Sequence, residues 1–157
     1  MSNSWSRMDP NGLKEYSVVY TDRALNHMSA RFQDVLNEIS TLLKQVYRAR
    51  SAIIVPGSGT FGMEAVARQF AGDKKVLIIR NGWFSYRWTQ ILDKGAITSQ
   101  STVLQARRNA TGAQAPFQPA PIEEVIARIQ QERPAVVFAP HTETSAGMLL
   151  PADYLKK

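Results

Sequence analysis

Three short segments of this sequence combine residue types that can bind a ligand or perform chemistry. The first, residues 56–62, is rich in glycine and hydroxyl side chains. Small residues let backbone N–H groups approach an anion, and the hydroxyls of Ser58 and Thr60 add donors. This pattern predicts a phosphate site at Ser58, Gly59 and Thr60, at the positive end of the helix that follows.

The same segment also matches the G-x-G-x-x-G pattern of dinucleotide-binding folds. In those folds an acidic residue near the end of the second strand binds the ribose. Here the second predicted strand ends at Arg80, which suits a 2′-phosphate. An NADP-binding Rossmann-type oxidoreductase is therefore one alternative, and a glycine-rich turn that binds nothing is another.

The second segment, residues 80–88, is dense in aromatic side chains at a strand-to-helix junction. A planar side chain there can stack on a planar ligand ring, which contributes about 0.5–1.5 kcal/mol beyond burial. The alternative, favoured for Trp83, Tyr86 and Trp88 taken singly, is that they pack the helix on the sheet.

The third segment, residues 140–147, offers an imidazole, a carboxylate and three hydroxyls after an apolar strand. Its polarity indicates a role beyond connecting two elements, although a surface turn is an alternative for His141 and Glu143. A hydrolase is not indicated, because no serine lies in a G-x-S-x-G turn.

Alternating helices and strands are predicted to position these segments. The apolar spacing predicts helices at residues 29–48, with Ser29 as the cap, at 60–70, at 85–94 with Gly95 as the C-cap, and from Pro121. Apolar runs predict strands at 52–55, 75–79, 97–104 and 135–139, with a surface loop at 109–121. Strands that alternate with helices predict an α/β fold with a mainly parallel sheet flanked by helices. Ligands bind such sheets outside the carboxyl ends of the strands, where all three segments lie.

Composition narrows the class of protein. The chain has 157 residues, no cysteine and a formal charge of +6, with few adjacent basic residues. We therefore expect a solvated basic surface and no nucleic-acid binding. No uncharged stretch approaches the roughly 18 residues of a membrane span, so we expect a cytoplasmic protein that binds no membrane. His27 and His141 are far apart in sequence, and we expect no metal site.

Taken together, the three segments resemble the class V group of pyridoxal-phosphate-dependent aminotransferases. The group includes serine–glyoxylate, serine–pyruvate and alanine–glyoxylate aminotransferases. The resemblance covers nearly the whole chain, from residues 26–29 and Phe32 to residues 149–151. Residues 57–60 look like the phosphate-binding turn of the family, and residues 81–84 and 141–147 look like its two ring-binding segments.

The resemblance implies a role for individual residues toward pyridoxal 5′-phosphate. Ser58, Gly59 and Thr60 would bind the phosphate, and Phe84 would take the place of the residue that lies flat on the pyridine ring. Thr144, the hydroxyl after the glutamate, would contact the ring oxygen. It also implies the large domain of a fold-type I transferase, homodimers, and substrates that are small amino acids and 2-oxo acids.

The chain departs from the family pattern at the residues that do the chemistry. The aspartate on the pyridine nitrogen and the Schiff-base lysine would both lie beyond Lys157. We expect residues 1–28 to be an N-terminal segment and residues 29–157 the first part of an incomplete large domain. We expect such a chain to be inactive alone, and we predict no catalytic residue within it. A non-enzymatic remnant or interaction module is therefore a further alternative.

Overall fold

A computed structural model describes residues 30–156, in two units divided between Ile54 and Val55. In the first unit, helix α1 (Ala30–Tyr47) has no buried residue among its 18 positions. The predicted helix is confirmed over these positions. The predicted cap Ser29, His27 and the N-terminal segment 1–28 lie outside the described residues.

The second unit contains three further helices and seven strands among the described residues. The helices are α2 (Gly59–Phe70), α3 (Trp83–Lys94) and α4 (Ile122–Glu132). The strands are β1 (Val76–Arg80), β2 (Ser101–Gln105), β3 (Arg107–Arg108), β4 (Phe117–Gln118), β5 (Val136–Phe138), β6 (Thr142–Glu143) and β7 (Met148–Leu149). A 3-10 turn, Thr144–Ala146, joins β6 to β7.

Strand β1 lies between β2 and β5, and all three strands are parallel. Its alternate side chains enter two apolar clusters, one on each face of the sheet. Val76 and Ile78 pack in the cluster that contains Leu92 of α3, whereas Leu77 packs in the cluster that contains Val125 of α4. Burial on both faces explains why β1 is continuously apolar. The predicted parallel sheet flanked by helices is confirmed.

The predicted strand at residues 52–55 is wrong. This run is irregular, and the Ile53 side chain is 84% exposed. An apolar run becomes a strand only when a neighbouring strand accepts its hydrogen bonds. Both edges of β1 are occupied by strands that come later in the chain, β2 and β5. A Rossmann fold requires the strand before the glycine-rich turn to pair beside the strand that follows its helix. The observed strand order therefore argues against the dinucleotide alternative.

Other predicted boundaries also shift, among them the start of the strand predicted at 97–104, which begins only at Ser101 as β2. Helix α3 begins at Trp83, two residues before the predicted start, and Pro121 is the N-cap of α4 instead of its first residue. The predicted loop at 109–121 contains β4, which pairs with β3. Gly95 is the C-cap of α3 as predicted, because a side chain there would lie 2.7 Å from the carbonyl oxygen of Ile91. No helix within residues 30–156 is long and apolar enough to cross a membrane.

Candidate functional site

The N-terminus of α3 is held by side chains from two parts of the chain. The Ser85 hydroxyl accepts the N–H groups of Asn81 and Gly82, at 2.8 and 3.0 Å. The Ser145 hydroxyl accepts the N–H of Trp83 at 2.8 Å. These bonds satisfy backbone donors that the start of a helix cannot satisfy within itself.

Glu143 completes this arrangement. Its two carboxylate oxygens accept the N–H of Phe84 at 3.1 Å and the N–H of Ser85 at 2.8 Å. The Ser85 hydroxyl donates to the same carboxylate at 2.6 Å, and the Ser145 hydroxyl donates to it as well. Three side chains, Ser85, Glu143 and Ser145, therefore satisfy five consecutive backbone N–H groups.

Glu143 is 1% exposed, so the surface turn considered for it is wrong, whereas His141 is exposed. Burial alone would raise the pKa of the Glu143 carboxyl, but hydrogen bonds from two serine hydroxyls and two backbone N–H groups outweigh it. The net effect lowers the pKa below 4.5. The carboxylate is therefore ionised at neutral pH, beside the positive end of the α3 dipole.

Gly82 is required for this contact because of space. Its φ of 176° is extended backbone, which any residue adopts. A Cβ atom at this position would lie 2.5 Å from Ser145 Oγ and 2.7 Å from Glu143 Cγ. The absence of a side chain at Gly82 therefore lets Glu143 reach the first turn of α3.

The residues predicted to face the cofactor ring lie at the surface, over the buried groups. Phe84 is 51% exposed and Thr144 is exposed. Of the other aromatic residues, Trp88 packs against the sheet, stacked on Phe138 at 3.9 Å between ring centroids. Trp83 is 56% exposed, so the packing role considered for it is wrong.

The glycine-rich turn differs from the start of α3, because no side chain within residues 30–156 caps its backbone donors. Helix α2 begins at Gly59, and its N-cap residue Ser58 makes no side-chain capping hydrogen bond. The Ser58 carbonyl accepts the N–H of Phe61 at 2.9 Å. The N–H groups of Gly59 and Thr60 stand in the first turn, where a helix offers them no carbonyl. Ser58 and Gly59 are exposed.

Arg87 of α3 reaches the same turn, which the sequence did not indicate. Its guanidinium donates to the Thr60 hydroxyl at 2.9 Å. Its Nε is buried and has no partner among residues 30–156. Arg87 lies three positions after Phe84, a spacing that puts both residues on one side of a helix. This spacing was the available signal, and the density of aromatic residues obscured it.

The chemistry of these donors fits a phosphorylated planar ligand. The N–H groups of Gly59 and Thr60, which no side chain within residues 30–156 caps, and the positive charge of Arg87 beside Thr60 suit an anion. The exposed ring of Phe84 suits an aromatic face, and the exposed hydroxyl of Thr144 suits a polar substituent. A phosphate and an aromatic ring are therefore the ligand groups that these residues would suit.

Comparisons with known proteins point to aminotransferases. No protein-family profile matches the chain. It is 26% identical over 134 residues to an alanine–glyoxylate aminotransferase of Rattus norvegicus, a match that covers 83% of this chain and 30% of that protein. It is structurally similar to ureidoglycine–glyoxylate aminotransferase of Bacillus subtilis, with a TM-score of 0.67, 22% identity, and coverage of 83% and 32% of the two chains. The chain spans about a third of the length of these relatives.

These similarities confirm the predicted resemblance to the class V aminotransferases. The solved structure also confirms the fold, which is the α/β architecture of an aminotransferase large domain with part of its sheet. The roles of Ser58, Gly59, Thr60, Phe84 and Thr144 stay predictions.

Proposed function

We propose that this chain contains the residues that bind the cofactor in a pyridoxal-phosphate-dependent aminotransferase. One observation carries the proposal: helix α3 links the three segments that the sequence singled out. Its first turn is bonded to Glu143, and its Arg87 is bonded to Thr60 of the glycine-rich turn. An anion site, an aromatic ring and a hydroxyl are thereby attached to one rigid element.

The phosphate of the cofactor would lie at the start of α2. The N–H groups of Gly59 and Thr60 and the hydroxyl of Ser58 would donate to its oxygens. Arg87 would add its positive charge beside this turn, through the guanidinium group that contacts the Thr60 hydroxyl. Its present bond to Thr60 orients both groups toward the same turn.

The ring of the cofactor would lie against Phe84. A phenyl face stacks on a pyridine ring through offset contact, and Phe84 is exposed for it. Thr144 would donate to the ring oxygen. Pyridoxal phosphate, when bound, supplies the ring that withdraws electrons from the bonds at the substrate carbon. The residues of this chain bind and orient that ring.

The substrates that we propose are a small amino acid, such as serine or alanine, and a 2-oxo acid, such as glyoxylate or pyruvate. The names of both relatives include glyoxylate, which supports it as the amino acceptor.

The chain by itself should be inactive in amino transfer, because none of its lysines matches the Schiff-base position of the family that it resembles. Lys74 and Lys75 precede β1, at the edge of the sheet opposite to the site. Lys94 lines a hollow with Thr60 and Arg87, but it ends α3, roughly 17 Å along the helix from the first turn that carries Phe84. We therefore assign no catalytic residue within this chain.

A direct test titrates the purified chain with pyridoxamine 5′-phosphate and, in parallel, with NADP. Pyridoxamine phosphate has no aldehyde, so it forms no adventitious imine with surface lysines. We expect saturable binding of pyridoxamine phosphate that inorganic phosphate competes away, and no binding of NADP. Binding of NADP alone would support the oxidoreductase alternative. Glycine formed from alanine and glyoxylate, above the level with pyridoxal phosphate alone, would contradict inactivity.

A second candidate function is a non-enzymatic interaction module. The outer edge of β5 pairs with no strand in the described part of the chain. Beside it lies a hollow of about 430 Å³ lined by apolar residues that include Ile126 and Val137. Unpaired edges of this kind invite pairing with another chain, and the resemblance also implies a homodimer. Light scattering after gel filtration decides: a monomer that binds pyridoxamine phosphate rejects the module and the homodimer of this chain.

A further inference from the structure

Glu143 has no part in the ligand contacts proposed above, yet it is the most completely bonded side chain of the site. Its carboxylate accepts two backbone N–H groups and two serine hydroxyls. Burial of a carboxylate is unfavourable unless hydrogen bonds compensate for the lost water. Here they do, and the residue is 1% exposed. Glu143 therefore lies behind the exposed surface of the site and cannot itself touch a ligand there.

The bonds of Glu143 connect the two exposed residues that would face the cofactor ring. One of its carboxylate oxygens accepts the backbone N–H of Phe84 at 3.1 Å, across 59 positions of sequence. Thr144 follows Glu143 directly in the chain and begins the 3-10 turn. The next residue, Ser145, accepts the N–H of Trp83 at 2.8 Å and donates to Glu143. The carboxylate therefore joins the backbone that carries the ring to the backbone that carries the hydroxyl.

We propose that Glu143 is a positioning residue that holds Phe84 and Thr144 at a fixed separation for a planar phosphorylated ligand. This inference rests on the proposed function, because it assigns both residues to the ring of the cofactor. The phosphate end of the ligand would be held mainly by the start of α2, which makes no hydrogen bond to Glu143 within residues 30–156, and Arg87 lies one turn beyond the residues that Glu143 holds. Loss of Glu143 should therefore weaken binding of the ring and leave binding of phosphate unchanged.

The substitution Glu143→Gln removes the acceptor role of the side chain without changing its size. Glutamine has the same shape, but its NH2 group is a donor and would face groups that are themselves donors. The matched control is Glu132→Gln. Glu132 also has a lowered pKa, caused first by a hydrogen bond from Thr102 and then by one from Arg128. It ends α4 and lies outside the site.

The experiment measures the affinities of pyridoxamine 5′-phosphate and of inorganic phosphate for the full chain and both variants. It is carried out at a temperature where circular dichroism shows each protein folded. For Glu143→Gln we expect roughly three- to tenfold weaker binding of pyridoxamine phosphate, the range that loss of one stacking contact gives. Binding of inorganic phosphate should stay within about twofold. Glu132→Gln should match the wild type for both ligands.

Ser145→Ala serves as a second variant if Glu143→Gln does not fold. It removes only the bond to Trp83 and one bond to Glu143. It should also weaken binding of pyridoxamine phosphate more than binding of inorganic phosphate, by a smaller factor than Glu143→Gln. Equal affinity of variant and wild type for pyridoxamine phosphate overturns the role of Glu143, as does equal loss of both ligands. A wild-type chain that binds phosphate but no pyridoxamine phosphate overturns the proposed function, and the role of Glu143 with it.

Discussion

The starts of helices α2 and α3 face the same problem and solve it differently. Each has backbone N–H groups that the helix cannot satisfy within itself. At α3, the side chains of Glu143 and two serines accept these groups. At α2, Ser58 makes no side-chain cap, and the first residues are exposed.

This difference indicates what each helix start is for. The start of α3 already holds an anion, the carboxylate of Glu143, and is therefore a structural joint that fixes Phe84. No carboxylate within residues 30–156 caps the start of α2, where we propose that an external anion such as phosphate binds. One helix start is thus satisfied from within the chain, and the other is the one that we propose for a ligand.

The largest expected effect comes from removing the internal anion. Glu143→Ala leaves two backbone N–H groups and two hydroxyls without their acceptor, so the free energy of unfolding should fall by about 2–4 kcal/mol. Urea denaturation followed by tryptophan fluorescence measures it. Glu132→Ala, at a half-buried position, should cost less than about 1 kcal/mol. Equal losses of unfolding free energy in the two variants would contradict a particular role of Glu143 at the start of α3.

A smaller loss should follow from filling the space at Gly82. Gly82→Ala places a methyl group against Ser145 and Glu143, and overpacking of this kind costs about 1–3 kcal/mol. The control is Gly62→Ala, because a Cβ there meets nothing within 4 Å. Gly62 lies inside α2, where alanine should stabilise the helix by about 0.5–1 kcal/mol. Thermal unfolding of both variants checks the pair, and a neutral Gly82→Ala would contradict the close approach.

The α2 start should respond to Arg87 through its ligand. Arg87→Met removes the cation that contacts Thr60, so inorganic phosphate should bind roughly tenfold more weakly, equivalent to about 1.4 kcal/mol. Arg128→Met is the control, since Arg128 lies on α4 and pairs with Glu132. Calorimetric titration distinguishes them. Unchanged phosphate affinity in Arg87→Met would remove Arg87 from the site.

The smallest expected effect concerns pH. The pKa of Glu143 is lowered in the folded chain, so its charge stabilises the fold above the unfolded pKa, near 4.5, and this contribution is lost as pH falls further. The stability difference between wild type and Glu143→Gln should be constant from pH 7 to about 5 and then shrink below pH 4.5. Urea midpoints across this range measure it. A difference that grows on acidification would contradict an ionised Glu143.

The sequence predicted most of the fold because periodicity is a local property. The amphipathic pattern of α1 and the continuous apolar run of β1 each specify one element without reference to the rest of the chain. The run at residues 52–55 fails because a strand also depends on a partner, which a local pattern does not contain. The early start of α3 has the same origin, since its first N–H groups are satisfied by residues about 60 positions later.

Only those features of the site that are local in sequence could be predicted. Glycines and hydroxyls at residues 57–60 are visible in sequence, and so is the aromatic density around Phe84. The burial of Glu143 is not visible, because a polar segment looks like a surface turn until its contacts are known. Arg87 was passed over since its partner, Thr60, lies 27 positions away.

If the starts of α2 and α3 bind the two ends of one cofactor molecule, the backbone amides at both starts should respond to it. In a ¹⁵N-labelled chain, inorganic phosphate should shift the amide resonances of Gly59 and Thr60 only. Pyridoxamine 5′-phosphate should shift these and also those of Phe84 and Thr144. Identical shifts with both ligands, or ring-dependent shifts elsewhere in the chain, would contradict the claim.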